Sequence, residues 1–371
     1  PERLTIVCLS KRPVSTSRST SKKRSFVPSK LRFWKKAVKR EGENTAVATQ
    51  QHAQALSSFP SALGRVLIGT SLLFAPSFTG PILTLLNSNA STITNLELIL
   101  ERPTESTTDW DKVGTSLHLP HLMNFKVSPR IVLTTLSFSS SAFVKFISRH
   151  PAIEHLTLRG VEVPTETAIG LEEVGEPLLP KLVFLHAHPV YVKWIFDNQT
   201  ERPNFKEVVL LTEECPPKHP QGFAGFDHSW LDDALESIHL ASLRCGSPTV
   251  GFHFTLNENL NSWFQFHVDS GPQASVLTRM TGTRTLRVNC AYIVSILEKT
   301  RFQDLGRWVA LFPSARELEL VDIPRPFIFD SHSQILDELR GLAPQIKALK
   351  INDGPTVVVG PHGSSMVTPD V

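Results

Sequence analysis

One short phrase recurs through this sequence: a proline, then apolar residues two, five and seven positions later. Pro120 leads to Leu122, Phe125 and Val127, and Pro151 to Ile153, Leu156 and Leu158. Pro180 leads to Leu182, Leu185 and Ala187, and Pro203 to Phe205, Val208 and Leu210. Pro313 leads to Ala315, Leu318 and Leu320, and Pro344 to Ile346, Leu349 and Ile351. Without the proline the spacing returns at Leu63/Val66/Ile68 (one residue later after Pro60), Ile93/Leu96/Leu98, Leu235/Ile238/Leu240, Trp263/Phe266/Val268 and Thr283/Leu286/Val288. The units follow one another at about thirty residues, the spacing of a stacked repeat array.

The last two apolar positions alternate with polar ones, which predicts a short strand buried on one face. The proline is expected at the start of that strand, where a missing backbone donor is tolerated. Apolar helical stretches precede several units, as in SAFVKFISR, GRWVALF and SQILDELRGL, each with one inward stripe such as Phe143, Phe146 and Ile147. A strand and helix of this size cannot bury their apolar faces alone, so the units must stack. The expectation is an α/β curved solenoid, a horseshoe with parallel concave strands and outer helices.

The strings LFPSARELELVDIP, FISRHPAIEHLTLRG and LLPKLVFLHAHPVYV resemble leucine-rich repeats of the long intracellular type. They are similar to the degenerate repeat region of F-box/leucine-rich-repeat-like proteins of mushroom-forming fungi. The resemblance covers roughly residues 56–353, as ten or eleven repeats. It implies a non-enzymatic scaffold that holds a protein on its concave strands, like the substrate-recognition region of a ubiquitin-ligase adaptor. Residues 1–55 carry no F-box pattern, so Skp1-like and cullin partners are expected only if an F-box lies upstream.

Charge is uneven. Residues 1–40 hold 13 of the 38 Lys and Arg residues but only one acid, Glu2, so the rest of the chain is net acidic. The arm 1–55 reads as basic and largely disordered, with Lys22, Lys23, Arg24, Lys35, Lys36, Lys39 and Arg40 in its densest stretches. Nuclear import, binding of nucleic acid, an amphipathic membrane-surface helix and a plain solvated tail all fit it. Residues 354–371 are expected to be a tail or a capping strand.

Cys8, Cys215, Cys245 and Cys290 show no close ligand spacing, which excludes a CxxC zinc module and suits a reducing compartment. With no secretory segment at the start, a cytoplasmic or nuclear protein is expected. The uncharged run Val66–Leu86 is long enough for a bilayer, but it contains Pro76 and Pro81 and its ends fit repeat positions, so no membrane span is expected. Motifs for acyl transfer, nucleotide binding and zinc proteolysis are missing, and no cofactor or metal is expected. His186 and His188 would share a strand face but lack a third ligand. Residues alternating with the buried strand positions would face the hollow. They include Asn124, Lys126, His155, Thr157, Arg159, Phe184, His186, His188, Val209, His239, Glu317 and Glu319.

Overall fold

The computed structural model describes residues 2–6, 63–68, 76–100, 109–129, 136–163, 178–198, 200–213, 226–246, 248–254, 260–289, 299–323, 332–360 and 363–367. The basic arm, apart from residues 2–6, lies outside the described residues.

Among the described residues, thirteen strands form one open sheet in strict chain order. They are β1 (Glu2–Ile6), β2 (Leu63–Ile68), β3 (Asn95–Leu100), β4 (Asn124–Pro129), β5 (His155–Leu158) and β6 (Phe184–Ala187). There follow β7 (Glu207–Leu211), β8 (Thr249–His253), β9 (Thr285–Asn289), β10 (Glu317–Val321), β11 (Ala348–Ile351), β12 (Thr356–Gly360) and β13 (Gly363–Val367). Strands β1 to β11 run parallel, whereas β12 and β13 turn back as an antiparallel hairpin.

Among the described residues, helices lie in eight of the ten crossovers between parallel strands. They are α1 (Pro76–Ser88), α2 (Trp110–Ser116), α3 (Ser140–Ser148), α4 (Pro189–Asp197), α5 (Ser229–Cys245), α6 (Leu260–Ala274), α7 (Lys299–Ala310) and α8 (His332–Leu342). A 3₁₀ turn, Val276–Arg279, follows α6. Parallel crossovers are right-handed, so strands laid down in consecutive order place their helices on a common face. The inward residues of strands and helices merge in one core, as where Phe125 of β4 meets Phe146 of α3 at 4.7 Å between ring centroids.

The recurring proline has a sharper role than a tolerated missing donor. In each of the six units it is the second residue of a turn closed by the amide of the first apolar residue. Leu122 donates to Leu119, Ile153 to His150, Leu182 to Leu179, Phe205 to Arg202, Ala315 to Phe312 and Ile346 to Ala343. Proline presets the backbone angle that this turn position requires. Three and four residues after the proline, the next strand starts by docking on its predecessor. Met123 and Asn124 both donate to the Thr94 carbonyl, Glu154 and His155 to that of Met123, and Arg316 and Glu317 to that of Arg284.

The residue before each of these prolines is buried, and where it is polar it bolts two units together. His150 accepts the Leu119 amide on Nε2 at 3.0 Å and donates from Nδ1 to the Phe146 carbonyl at 2.5 Å. Arg202 donates to the carbonyls of Leu178 and Ile195 at 2.9 Å each and stacks on Phe196. In a unit without proline a similar part is played one residue earlier by Asn89, four before Ile93, which donates to the Leu85 carbonyl at 3.0 Å. A buried polar side chain costs stability unless bonded, and here each bond closes a gap in the backbone ladder.

Two expected units are corrected. Leu235, Ile238 and Leu240 lie in α5, and Trp263, Phe266 and Val268 lie in α6. The first two apolar positions of the template are three apart, which suits one face of a helix equally well. The odd position betrays the difference, since Leu240 is 52% exposed and Phe266 58% exposed. The strand between β7 and β9 is instead β8, whose Val250 and Phe252 are buried without a leading apolar residue. The apolar run Val66–Leu86 is divided between β2 and α1, and among the described residues no helix is long and apolar enough to cross a membrane.

Replacing His150 with alanine strands the buried Leu119 amide and empties the ring's place against Phe146. The expected loss is about 2–4 kcal/mol, seen as a lower urea midpoint at unchanged slope. A change under about 0.5 kcal/mol, the range of ordinary surface substitutions, would refute the bolt.

Candidate binding face of the parallel sheet

The alternation that buries Leu156, Leu185 and Val208 sends their neighbours to the opposite side of the sheet. Strand register then lines these outward residues in rows, one of which runs Glu97, Lys126, Thr157, His186, Val209, Gly251, Arg287, Glu319 and Lys350. The row falls into three sectors.

At the first sector two cations share one acid. Lys126 Nζ lies 2.9 Å from Glu97 Oε1 and Arg65 Nη2 lies 3.7 Å from Oε2. The lysine and arginine side chains are 50% and 51% exposed and the glutamate 16%, so the surplus positive charge stands outermost. Beside them Asn95, Asn124, His155, Thr157 and Phe184 line an open depression of about 310 Å³.

The middle sector is aromatic. The rings of His155 and Phe184 are 6.1 Å apart, those of Phe184 and His186 6.4 Å, and those of His186 and His253 5.3 Å. His186 belongs to β6 and His253 to β8, two strand spacings or about 9.6 Å apart in backbone terms. Their rings therefore lean together above β7, whose outward Val209 and Leu211 are buried. Burial, then the charges of His253, Arg159 and Lys126, hold His186 well below the usual histidine range. Its Nε2 is buried without a hydrogen-bond partner among the described residues. Burial likewise pushes His253 down to about 4. Arg159 anchors this sector: its Nε donates to Glu213 Oε1 at 3.2 Å, while Glu213 Oε2 accepts the Gly160 amide at 2.6 Å. Gly160 has a positive φ of 65°, the left-handed region glycine enters freely. Burial raises the Glu213 carboxyl, and the arginine opposes that rise.

The third sector is a matched charge network. Arg287 donates to Glu207 and, from Nε, to Glu319 at 2.6 Å, and Lys350 meets the other Glu319 oxygen at 2.8 Å. Gly251 stands between Arg287 and Val209 in register, and its missing side chain leaves the guanidinium a path across β8 to Glu207. A Cβ there would sit 3.0 Å from Val209 Cγ2.

Of the expected face residues, Lys126, His155, Arg159, Phe184 and His186 come together in the first two sectors. Two expectations are corrected. His188 follows β6 instead of extending it; it caps α4 by accepting the Val190 amide and is buried against Phe226 and Trp230. His239 lies within α5, so its side chain is not on a strand at all. The seven basic-arm residues, Lys22 to Arg40, lie outside the described residues. His253 and Arg287 were not singled out from the sequence, the first because β8 lacks the leading apolar residue. Glu97 was legible as the outward residue of Leu96/Leu98.

A serine–histidine–aspartate chain on the helical side belongs to no sequence motif. Ser275 Oγ lies 2.9 Å from His267 Nδ1, and His267 Nε2 lies 3.0 Å from Asp232 Oδ1, which also accepts Trp263 Nε1–H at 3.0 Å. Ser275 is 2% exposed and its hydroxyl already accepts the Leu277 amide. An attacking serine must reach a substrate carbonyl; this one ties α5, α6 and the 3₁₀ turn together.

Burial holds His150 at about 4, His188 at about 3 and His253 at about 4, with His186 and His228 also lowered. The unfolded chain therefore binds more protons than the native one as pH falls below the ordinary 6.5, and stability is lost progressively between there and about 4. The raised carboxyls of Glu207 and Glu213 act in the opposite sense. Urea melts across this range should show falling midpoints, with a shallower fall in His253→Gln. A midpoint that stays flat from pH 6.5 to 4 would contradict neutral burial of these rings.

No family model matches the chain, and no curated protein matches it in sequence.

Proposed function

We propose that the chain is a leucine-rich-repeat-like solenoid that works as a non-enzymatic protein-interaction scaffold. In this reading the parallel strands line the concave side of a horseshoe, the helices form its outer side, and a partner protein docks on the outward strand residues. The observation that carries it is the middle sector: aromatic rings, with an imidazole whose Nε2 is buried without a hydrogen-bond partner among the described residues, crossing four adjacent strands. Buried aromatic anchors rimmed by charge are what protein interfaces use.

By the resemblance, the partner is a substrate presented for ubiquitination, with Skp1-like and cullin subunits joining through an F-box. The test is affinity capture from the source cells with the intact chain and with Phe184→Ala/His186→Ala, read by mass spectrometry. A specific partner should fall by about tenfold or more on the variant, the cost of losing one good anchor. Recovery of Skp1-like and cullin subunits supports the ligase role. Equal recovery of every captured protein on both chains would refute the face as the docking surface.

A second reading rests on the composition of residues 1–40, whose 13 basic residues against one acid suit a phosphate-bearing polymer or anionic lipid surface. Binding through this arm should weaken steeply with salt and vanish when residues 1–40 are deleted. Salt-independent binding would count against it.

A further inference from the structure

The charge arithmetic of the outward face differs at its two ends. Around Arg287, two carboxylates, Glu207 and Glu319, meet two cations, Arg287 and Lys350, and satisfy one another. Around Glu97, two cations meet one carboxylate, and both cations are half exposed while the acid lies beneath them. The surplus is thus positive, outermost and without a matching acid within the triplet. It borders the depression whose other wall is the His155–Phe184 ring pair. His155 and Phe184 offer an apolar and polarisable surface, and the amides of Asn95 and Asn124 offer donors and acceptors beside it.

From this juxtaposition we infer that the β3–β6 part of the face binds an extended acidic segment of a partner protein. One Asp or Glu side chain pairs with Lys126 and Arg65, and an adjacent apolar side chain lies on the Phe184 and His155 rings. The inference rests on the docking reading above and adds the chemistry of what docks. A partner carboxylate converts the triplet from two cations and one acid to two of each, the balance already built at the Arg287 end. The half-exposed lysine and arginine need only rotate to reach it, whereas Glu97 stays in place beneath them. A basic segment would meet like charge and lose the same contact.

The test is selection of a random peptide library, displayed on phage, against the immobilised full-length chain. Selected sequences should carry Asp or Glu next to an aromatic or large aliphatic residue. Lys126→Glu should weaken a selected peptide by about tenfold or more, consistent with reversal of a steering charge, and raising salt should weaken the wild-type complex. Lys126 is half exposed, so the variant should keep the native circular dichroism, and Lys126→Gln, which sets no like charge against Glu97, should weaken the peptide at an unchanged urea midpoint. Phe184→Ala should weaken the same peptide. Basic or uncharged selected sequences, no enrichment, or acidic peptides indifferent to Lys126→Glu would overturn the acidic segment. If Phe184→Ala still weakens the peptides in those cases, the docking face itself survives. Peptides indifferent to both substitutions would overturn the face as well.

Discussion

Everything in this molecule depends on the parallel backbone ladder between neighbouring units. A single unit contributes one strand, and a lone strand has no internal partner for its amides and carbonyls. Those groups are satisfied only when the preceding and following strands are in place. The paired donations to Thr94, Met123 and Arg284 show how each unit is seated before its strand begins. The apolar triplets then fill the interior that this seating creates. Register is fixed on both sides of the sheet at once, because slipping by one residue would drive the core leucines outward.

The polar bolts at Asn89, His150 and Arg202 refine this picture. His150 and Arg202 occupy a position that other units fill with Leu119, Leu179, Phe312 or Ala343. Apolar occupants supply volume, while polar ones supply volume and a backbone partner in the same or the adjoining unit. The fold thus tolerates wide variation at one position because the turn around it is held by the proline and its closing hydrogen bond. That is one physical reason why repeats of this kind drift so far in sequence.

Legibility followed from how local each signal is. The six proline-led units end in strands of the sheet because turn chemistry and an eight-residue pattern are both contained in one stretch of chain. The false units at Leu235 and Trp263 arose because apolar residues three apart serve a helix as well as a strand start. β8 escaped because Ser247 stands where an apolar residue was required. The candidate face was legible in part: Lys126, His155, Phe184 and His186 alternate with buried positions and follow from the strand. Which of them meet is decided by register between strands some thirty residues apart. The leaning of His253 over β7 and the reach of Arg287 to Glu207 across Gly251 have no signature within any single unit. His188 and His239 were misplaced because a strand was extended past its end in one case and invented in the other.

The hairpin β12–β13 ends the run of repeat strands at one side of the sheet. A twelfth repeat strand in parallel would have carried the same pattern on, unit upon unit. Val357 and Val358 instead pair backwards with Leu349 and Ala348, and β13 pairs with β12. The translation that relates one unit to the next is therefore interrupted at this end. The strand left at this edge is the second of the hairpin, so a further unit stacking there would meet a strand that belongs to no repeat.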